Sequence, residues 1–155
     1  IPISLAKNLS DVEISAIDVS SKALEVARQN ATLNKVDVSF LEMDILETRE
    51  LPQQYNLIVS NPPYVRELEK VEISNNVLEN EPHLALFVKD DNPLIFYSKI
   101  ADLAKSNLKK DGLLFFEINQ YLGKETVEML KQKGFNMVEL KKDLFGNDRM
   151  VKAIL

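Results

Sequence analysis

The stretch "YNLIVSNPPYV", residues Tyr55–Val65, decides the reading of this chain. Its first half is a short apolar run and reads as a buried strand. Its second half stops that strand abruptly at Asn61-Pro62-Pro63-Tyr64. Each proline fixes its own φ and removes its N–H. Each also pushes the residue before it out of the helical region. Asn61 is therefore held extended, and the carbonyls of Asn61 and Pro62 stay free of a helical ladder. The turn offers a carboxamide oxygen beside exposed backbone carbonyls, which suits an NH₂ group with two protons to donate. Tyr64 adds a flat ring that can pack on a planar amide or base. The corner suits a planar amine or amide nitrogen and contains no strong base, which an already activated electrophile does not require.

Working outward, strands and helices alternate. "EISAIDV" (Glu13–Val19) reads as a strand, and "SSKALEVARQNATLN" as a helix with Leu24, Ala27 and Ala31 on one face and Ser20 or Ser21 as its cap. "VDVSFLEMD" (Val36–Asp44) is a second strand. From Pro62 to Pro93 there is little regular pattern, and a connection that long in a compact domain is usually functional. Asn92-Pro93 predicts an N-cap with proline at the first helical position. Behind it Tyr97, Ile100, Ala101, Ala104 and Leu108 form an apolar face, ended by Asp111-Gly112. "LLFFEI" is a fourth strand, "LGKETVEMLKQK" a helix closed by Gly134, and "FNMVELK" and "RMVKAIL" an antiparallel hairpin around "DLFGND". This alternation predicts an α/β fold with a mostly parallel sheet covered on both faces.

In such sheets ligands bind beyond the carboxyl ends of strands. Asp18, Asp44, Asn61 and Glu117 all fall at strand ends. Asp18 can accept both hydroxyls of a ribose; it reads equally as a helix-entry residue beside Ser20. Asp44 can accept from an adenine amino group, or serve as a solvated turn acid. Taken with Asn61, they describe a nucleoside cofactor lying across adjacent strand ends. Glu81-Pro82 lies in the long connection, where Glu81 could close over a substrate or sit on a loop surface. His83, the one histidine, reads as packed or superficial, and Glu117 either faces the cleft or terminates its strand. The sequence shows no metal-ligand cluster, phosphate-binding glycine loop or nucleophile–base pair.

Composition bounds the rest. The chain has 155 residues, 45% of them hydrophobic and 28% charged, an ordinary globular balance for one domain. The net charge of −5 lacks the basic field of a domain that grips nucleic acid by its phosphates. Lys109–Lys110 and Lys141–Lys142 read as solvated loop edges. With no cysteine, disulfides and thiolate chemistry are excluded, which suits a cytoplasmic, reducing location. No apolar run is long enough to span a bilayer. "IPISLAKNLS" lacks the charged and apolar regions of a signal peptide.

With "SNPPYV" in place, the chain resembles a class I S-adenosylmethionine-dependent methyltransferase of the amino type, marked by (N/D)PP(Y/F). Within that class it resembles the HemK/PrmC family of protein-(glutamine-N5) methyltransferases, which act on peptide chain release factors. "AIDVSSKALEVARQNA", "ENEPHLAL", "FFEI" and "DLFGNDRMV" carry the likeness beyond the corner itself. The resemblance implies a Rossmann-like sheet, S-adenosylmethionine as methyl donor, and a release factor as partner, with neither membrane nor nucleic acid as direct substrate. It implies that Asp18 binds ribose and that Asp44 lies at the adenine edge. Asn61 and the Pro62 carbonyl would hold the two amide protons of a glutamine for in-line attack on the sulfonium methyl. Pro63 and Tyr64 would complete the acceptor site, with Tyr64 packed near the amide or the donor. Glu81 and Pro82, Glu117, Asp143 and Arg149 match family positions without an assigned role. The family's D-x-G-x-G-x-G turn precedes the segment that begins here. The expectation is therefore a single truncated catalytic domain, 1–155, without its first strand and glycine loop. An N6-adenine methyltransferase uses the same corner on a different amine, and a non-catalytic fragment that keeps the fold is the reading from outside the enzymes.

Overall fold

A computed structural model describes residues 1–72 and 83–155. The chain divides into two compact units, Ile1–Thr48 and Arg49–Leu155.

The first unit is a short helix, α1 (Pro2–Asn8), followed by a strand–helix–strand crossover: β1 (Ser15–Asp18), α2 (Ser21–Asn34) and β2 (Ser39–Glu42). The sequence dictates this crossover locally. Ser20 accepts the Ala23 N–H through its hydroxyl and caps α2, as its position predicts. Lys35, in the left-handed conformation at φ 56°, closes the helix while its N–H returns to the Ala31 and Thr32 carbonyls. Leu24 and Ala31 are buried on one face, with Ala27 half-buried between them. β1 and β2 pair in parallel from Ser15↔Ser39 to Asp18↔Glu42. Their carboxyl ends therefore share one edge.

The second unit holds a four-stranded sheet in the order β3 (Tyr55–Ser60), β6 (Leu108–Glu117), β8 (Asp148–Ile154), β7 (Met137–Lys142). A separate two-stranded parallel pair joins β4 (Val65–Arg66) to β5 (Phe87–Val88). A 3₁₀ helix at Glu67–Glu72 and a single turn, α3 (His83–Leu86), lie between the members of that pair. β3 and β6 are parallel, connected through α4 (Ile95–Asn107). α5 (Gly123–Gln132) leads from β6 to the antiparallel β7–β8 hairpin, and β8 returns antiparallel against β6. Of the pairings between described strands, β1·β2, β3·β6 and β4·β5 are parallel, so the α/β architecture with a terminal antiparallel hairpin stands as expected.

The core of this unit alternates as the pattern requires. Leu114 and Phe116 of β6, and Val151 and Ala153 of β8, are essentially inaccessible. Tyr97 of α4 meets the Phe116 ring edge-on at 5.2 Å and 70°. Ile118 and Leu130 are likewise fully buried. Gly134, at φ 92°, follows α5 as expected.

Both boundaries of α4 differ from expectation. α4 starts at Ile95 rather than at Pro93, because Asn92 spends its carbonyl on the Ile95 N–H in a preceding turn. It ends at Asn107, four residues before Asp111-Gly112, because Leu108 turns extended, at φ −81° and ψ 139°, to pair with Tyr55 of β3. Asp111 and Gly112 instead lie inside β6, where Asp111 takes φ 60° and the pairing with β3 slips its register between Tyr55 and Leu57. Among the described residues no helix is long and apolar enough to cross a membrane.

Candidate functional site

In the first unit, Asp18 is the last residue of β1 and Asp44 stands two residues beyond β2. The parallel pairing brings both to one carboxyl edge. Both are exposed. Each carboxylate uses Oδ1 to order its own turn: Asp18 accepts the Ser20 N–H at 2.8 Å, and Asp44 accepts the Leu46 N–H at 2.9 Å. Thr48 closes the second turn through a 2.6 Å bond from its hydroxyl to the Asp44 carbonyl. No described donor bonds Oδ2 of either acid. Two fixed carboxylates thus present a free oxygen along one strand edge, an acceptor set for the donors of a pair of ribose hydroxyls or an amino group.

In the second unit, the parallel register Ser60↔Phe116 sets the start of the Asn61–Tyr64 corner beside the end of β6, where Glu117 sits. Asn61 is exposed, and its carboxamide bonds no described group. Pro62 is buried and Pro63 half-buried, so the two rings wall the inner side of the turn while Asn61 stands outside it. Tyr64 is tied at three points. Its N–H donates to the Leu86 carbonyl at 3.2 Å, its carbonyl accepts Asn119 Nδ2 at 2.9 Å, and its hydroxyl donates to Glu117 Oε1 at 3.0 Å. Burial first, and then the negative Glu117 carboxylate, raise the Tyr64 hydroxyl above the ordinary tyrosine value, while Arg149 opposes them. The phenol therefore remains a donor.

Behind the corner lies a buried polar cluster that the sequence did not disclose. Glu69 is 5% exposed and Asn119 4%. Glu69 accepts the Arg66 side chain on Oε1 from Nε at 3.1 Å and Nη2 at 2.6 Å, and the Arg66 N–H on Oε2 at 2.8 Å. Burial pushes the Glu69 carboxyl up, but the Arg66 and Asn119 hydrogen bonds outweigh it and hold the group below its usual value. Arg66 also lies 5.8 Å from the Tyr121 ring centroid. A cleft of about 180 Å³ opens here, lined by Tyr64, Glu69, Asn119, Gln120, Tyr121 and Arg149 among others. The signals that could have revealed the cluster are the Arg-x-x-Glu spacing at Arg66 and Glu69, and a second asparagine, Asn119, just beyond a strand end.

Asp143 and Arg149, both left without a role in the sequence, order the hairpin. Asp143 Oδ1 accepts the Phe145 and Asn147 N–H groups at 2.9 and 3.0 Å, and Oδ2 faces Arg149 at 3.5 Å. These backbone bonds, Asn147 first, hold the Asp143 carboxyl below its usual value. Glu81 and Pro82 lie outside the described residues. His83 opens α3.

The family model for the methyltransferase small domain matches residues 1–85. A release factor glutamine methyltransferase of Flavobacterium psychrophilum is 61% identical over 153 residues, covering 99% of this chain and 54% of that protein. The chain spans about half the length of the curated relatives it matches. Among solved structures, a methyltransferase from Pyrococcus furiosus aligns with a TM-score of 0.68 at 14% identity, over 97% of this chain and 66% of that one. The magnesium protoporphyrin IX methyltransferase of Synechocystis, solved with bound S-adenosylmethionine, aligns with a TM-score of 0.58 at 15% identity over 98% and 62%.

Proposed function

Because the chain belongs to the methyltransferase small domain family, we propose that 1–155 forms one catalytic domain of an S-adenosylmethionine-dependent N-methyltransferase. Its substrate in this reading is the side-chain amide of a glutamine in a peptide chain release factor. The observation that carries the reading is the corner itself: an exposed Asn61 carboxamide with no described partner, beside a Tyr64 pinned at backbone and hydroxyl. The 61% identity to a protein named release factor glutamine methyltransferase supports the choice of acceptor.

When bound, S-adenosylmethionine supplies a methyl group whose carbon the neighbouring sulfonium makes electrophilic. The free oxygens of Asp18 and Asp44 fit the ribose and adenine of such a nucleoside. Asn61 Oδ1 and the Pro62 carbonyl accept the two amide protons and turn the nitrogen toward the methyl carbon. Pro63 keeps that corner stiff, and Tyr64 packs on the flat amide. With the methyl supplied by the bound donor, the amide nitrogen would gain positive charge, and Asn61 Oδ1 and the Pro62 carbonyl would hold its protons until one is released to water. Positioning and oriented dipoles supply the catalysis, without a strong base. Glu81 belongs to the acceptor side in this reading, and a cytoplasmic location goes with a cysteine-free chain.

The test uses the full-length protein that contains this chain. Methyl-labelled S-adenosylmethionine is offered with a release factor, with the same factor carrying its target glutamine replaced, and with DNA and RNA. Label on the intact factor alone is expected. Label on nucleic acid, or on the replaced factor, overturns the choice of acceptor; label nowhere overturns the reading.

A further inference from the structure

We infer that Asn119 is a positioning residue for methyl transfer: its carboxamide fixes the exit of the Asn61–Tyr64 corner onto the end of β6. The inference rests on the corner being the acceptor site.

The argument is geometric. The corner enters from β3, where Ser60 is paired with Phe116, and it exits at Tyr64, whose carbonyl is held by Asn119 at 2.9 Å. Both feet of the turn therefore stand on one short run, 116–119. That run is anchored in the sheet, since the Ile118 N–H donates to the Arg149 carbonyl of β8 at 2.9 Å. Asn119 uses both of its amide protons and its side-chain oxygen here. Nδ2 donates one proton to Tyr64 and the other to Glu69 Oε2 at 2.7 Å, and Oδ1 accepts the Tyr121 N–H at 2.9 Å. Glu69 is in turn braced by the Arg66 fork. Two donors and one acceptor at this reach are a carboxamide's inventory. Aspartate would set a carboxylate against Glu69 and the Tyr64 carbonyl, and glutamine is a methylene too long. Asn119 meets neither donor nor acceptor in this scheme. It acts through the peptide that carries Tyr64, and thereby on the placement of Asn61 and the Pro62 carbonyl.

The test compares the full-length protein with its Asn119→Ser and Asn119→Leu variants by two readouts. The first is amide hydrogen exchange at Tyr64, Val65 and Arg66, with β8 amides as reference. The second is steady-state methylation of the release factor. Protection is expected to fall at Tyr64–Arg66 and to hold in β8. kcat is expected to fall by about a hundredfold, the order of a small misplacement of reacting groups, while KM for donor and acceptor changes by less than about threefold. Unchanged protection at Tyr64–Arg66 overturns the inference, and so does protection lost equally from β8, or a rise in KM with kcat kept. If the wild-type protein methylates no release factor, the proposed function fails by itself, and the exchange pattern still decides whether Asn119 holds the corner.

Discussion

The Tyr64 hydroxyl donates to Glu117 Oε1 at 3.0 Å, across 53 residues of chain, and so ties the side chain of the proline corner to the last residue of β6. The fully buried Tyr97 hydroxyl reaches the backbone carbonyl of the same Glu117 at 3.2 Å. Glu117 is thus where the core helix α4 and the exposed corner meet. A side chain that reads in the sequence either as facing the cleft or as terminating its strand is a half-buried brace in the fold, brought beside the corner by the parallel register of β3 and β6.

Asn61→Ala separates function from stability. The side chain is exposed and bonds no described group, so its removal is expected to change unfolding free energy by no more than about 0.5 kcal/mol. In the proposed role, loss of an oriented acceptor for the reacting nitrogen is expected to lower kcat by about a hundredfold or more. Urea titration and the methyl-transfer assay, run on the same preparation, check the pair. A variant that stays folded and keeps wild-type kcat would remove Asn61 from the site.

Asp18→Asn tests the proposed ribose contact. The new amide keeps an oxygen for the Ser20 N–H, so the turn into α2 persists. It loses the charge and the second acceptor, a difference of about 1.5–3 kcal/mol for a charged hydrogen bond. Affinity of the full-length protein for S-adenosylmethionine is expected to drop by about tenfold to a hundredfold in calorimetry, with an unchanged far-ultraviolet circular dichroism spectrum.

The alkaline limb of stability reports Tyr64. Burial and Glu117 hold its folded-state hydroxyl above the unfolded value, so the folded chain keeps a proton that the unfolded chain has lost. That contribution is complete below about pH 10, the unfolded tyrosine value, and is lost as pH rises from there through the folded value. Tyr97, raised further by burial, acts in the same direction. Urea midpoints taken from about pH 9 to about pH 11 are expected to fall less steeply in Tyr64→Phe than in wild type. Equal slopes would show that the hydroxyl is not held in the folded protein.

Local chemistry explains what could be read beforehand. Of the two candidate caps Ser20 and Ser21, Ser20 caps α2, Gly134 follows α5, and Tyr97, Ile100, Ala101 and Ala104 form the buried face of α4, because each depends on neighbours in sequence. The corner was legible for the same reason, since proline fixes its backbone wherever it stands. The contacts of Asn119 were not: its partners Tyr64 and Glu69 lie 55 and 50 residues away, and the parallel pairing of β3 with β6 brings them together. The end of α4 differs from its sequence pattern on the same account, because Leu108 leaves the helix to pair with Tyr55, a partner remote in sequence.

Asn107, where α4 ends, supplies the last prediction. It is 3% exposed, and its carboxamide accepts the Leu51 N–H at 3.3 Å while donating to the Leu51 and Gln53 carbonyls at 3.1 and 3.2 Å. These bonds fasten the approach to β3 against the junction of α4 and β6, directly where Tyr55 pairs with Leu108. Asn107→Leu keeps the volume but strands the Leu51 N–H and the two carbonyls. Buried groups left unsatisfied cost about 1–3 kcal/mol each, and rearrangement toward solvent recovers part of that. A net loss of about 2–4 kcal/mol is expected on that basis. Asn107→Asp preserves the acceptor for the Leu51 N–H but faces two carbonyls with a carboxylate, and is expected to be at least as damaging. Denaturant titration of both variants checks the order. A loss under about 0.5 kcal/mol for Asn107→Leu would mean that the β3 approach is held by packing of Leu51 alone.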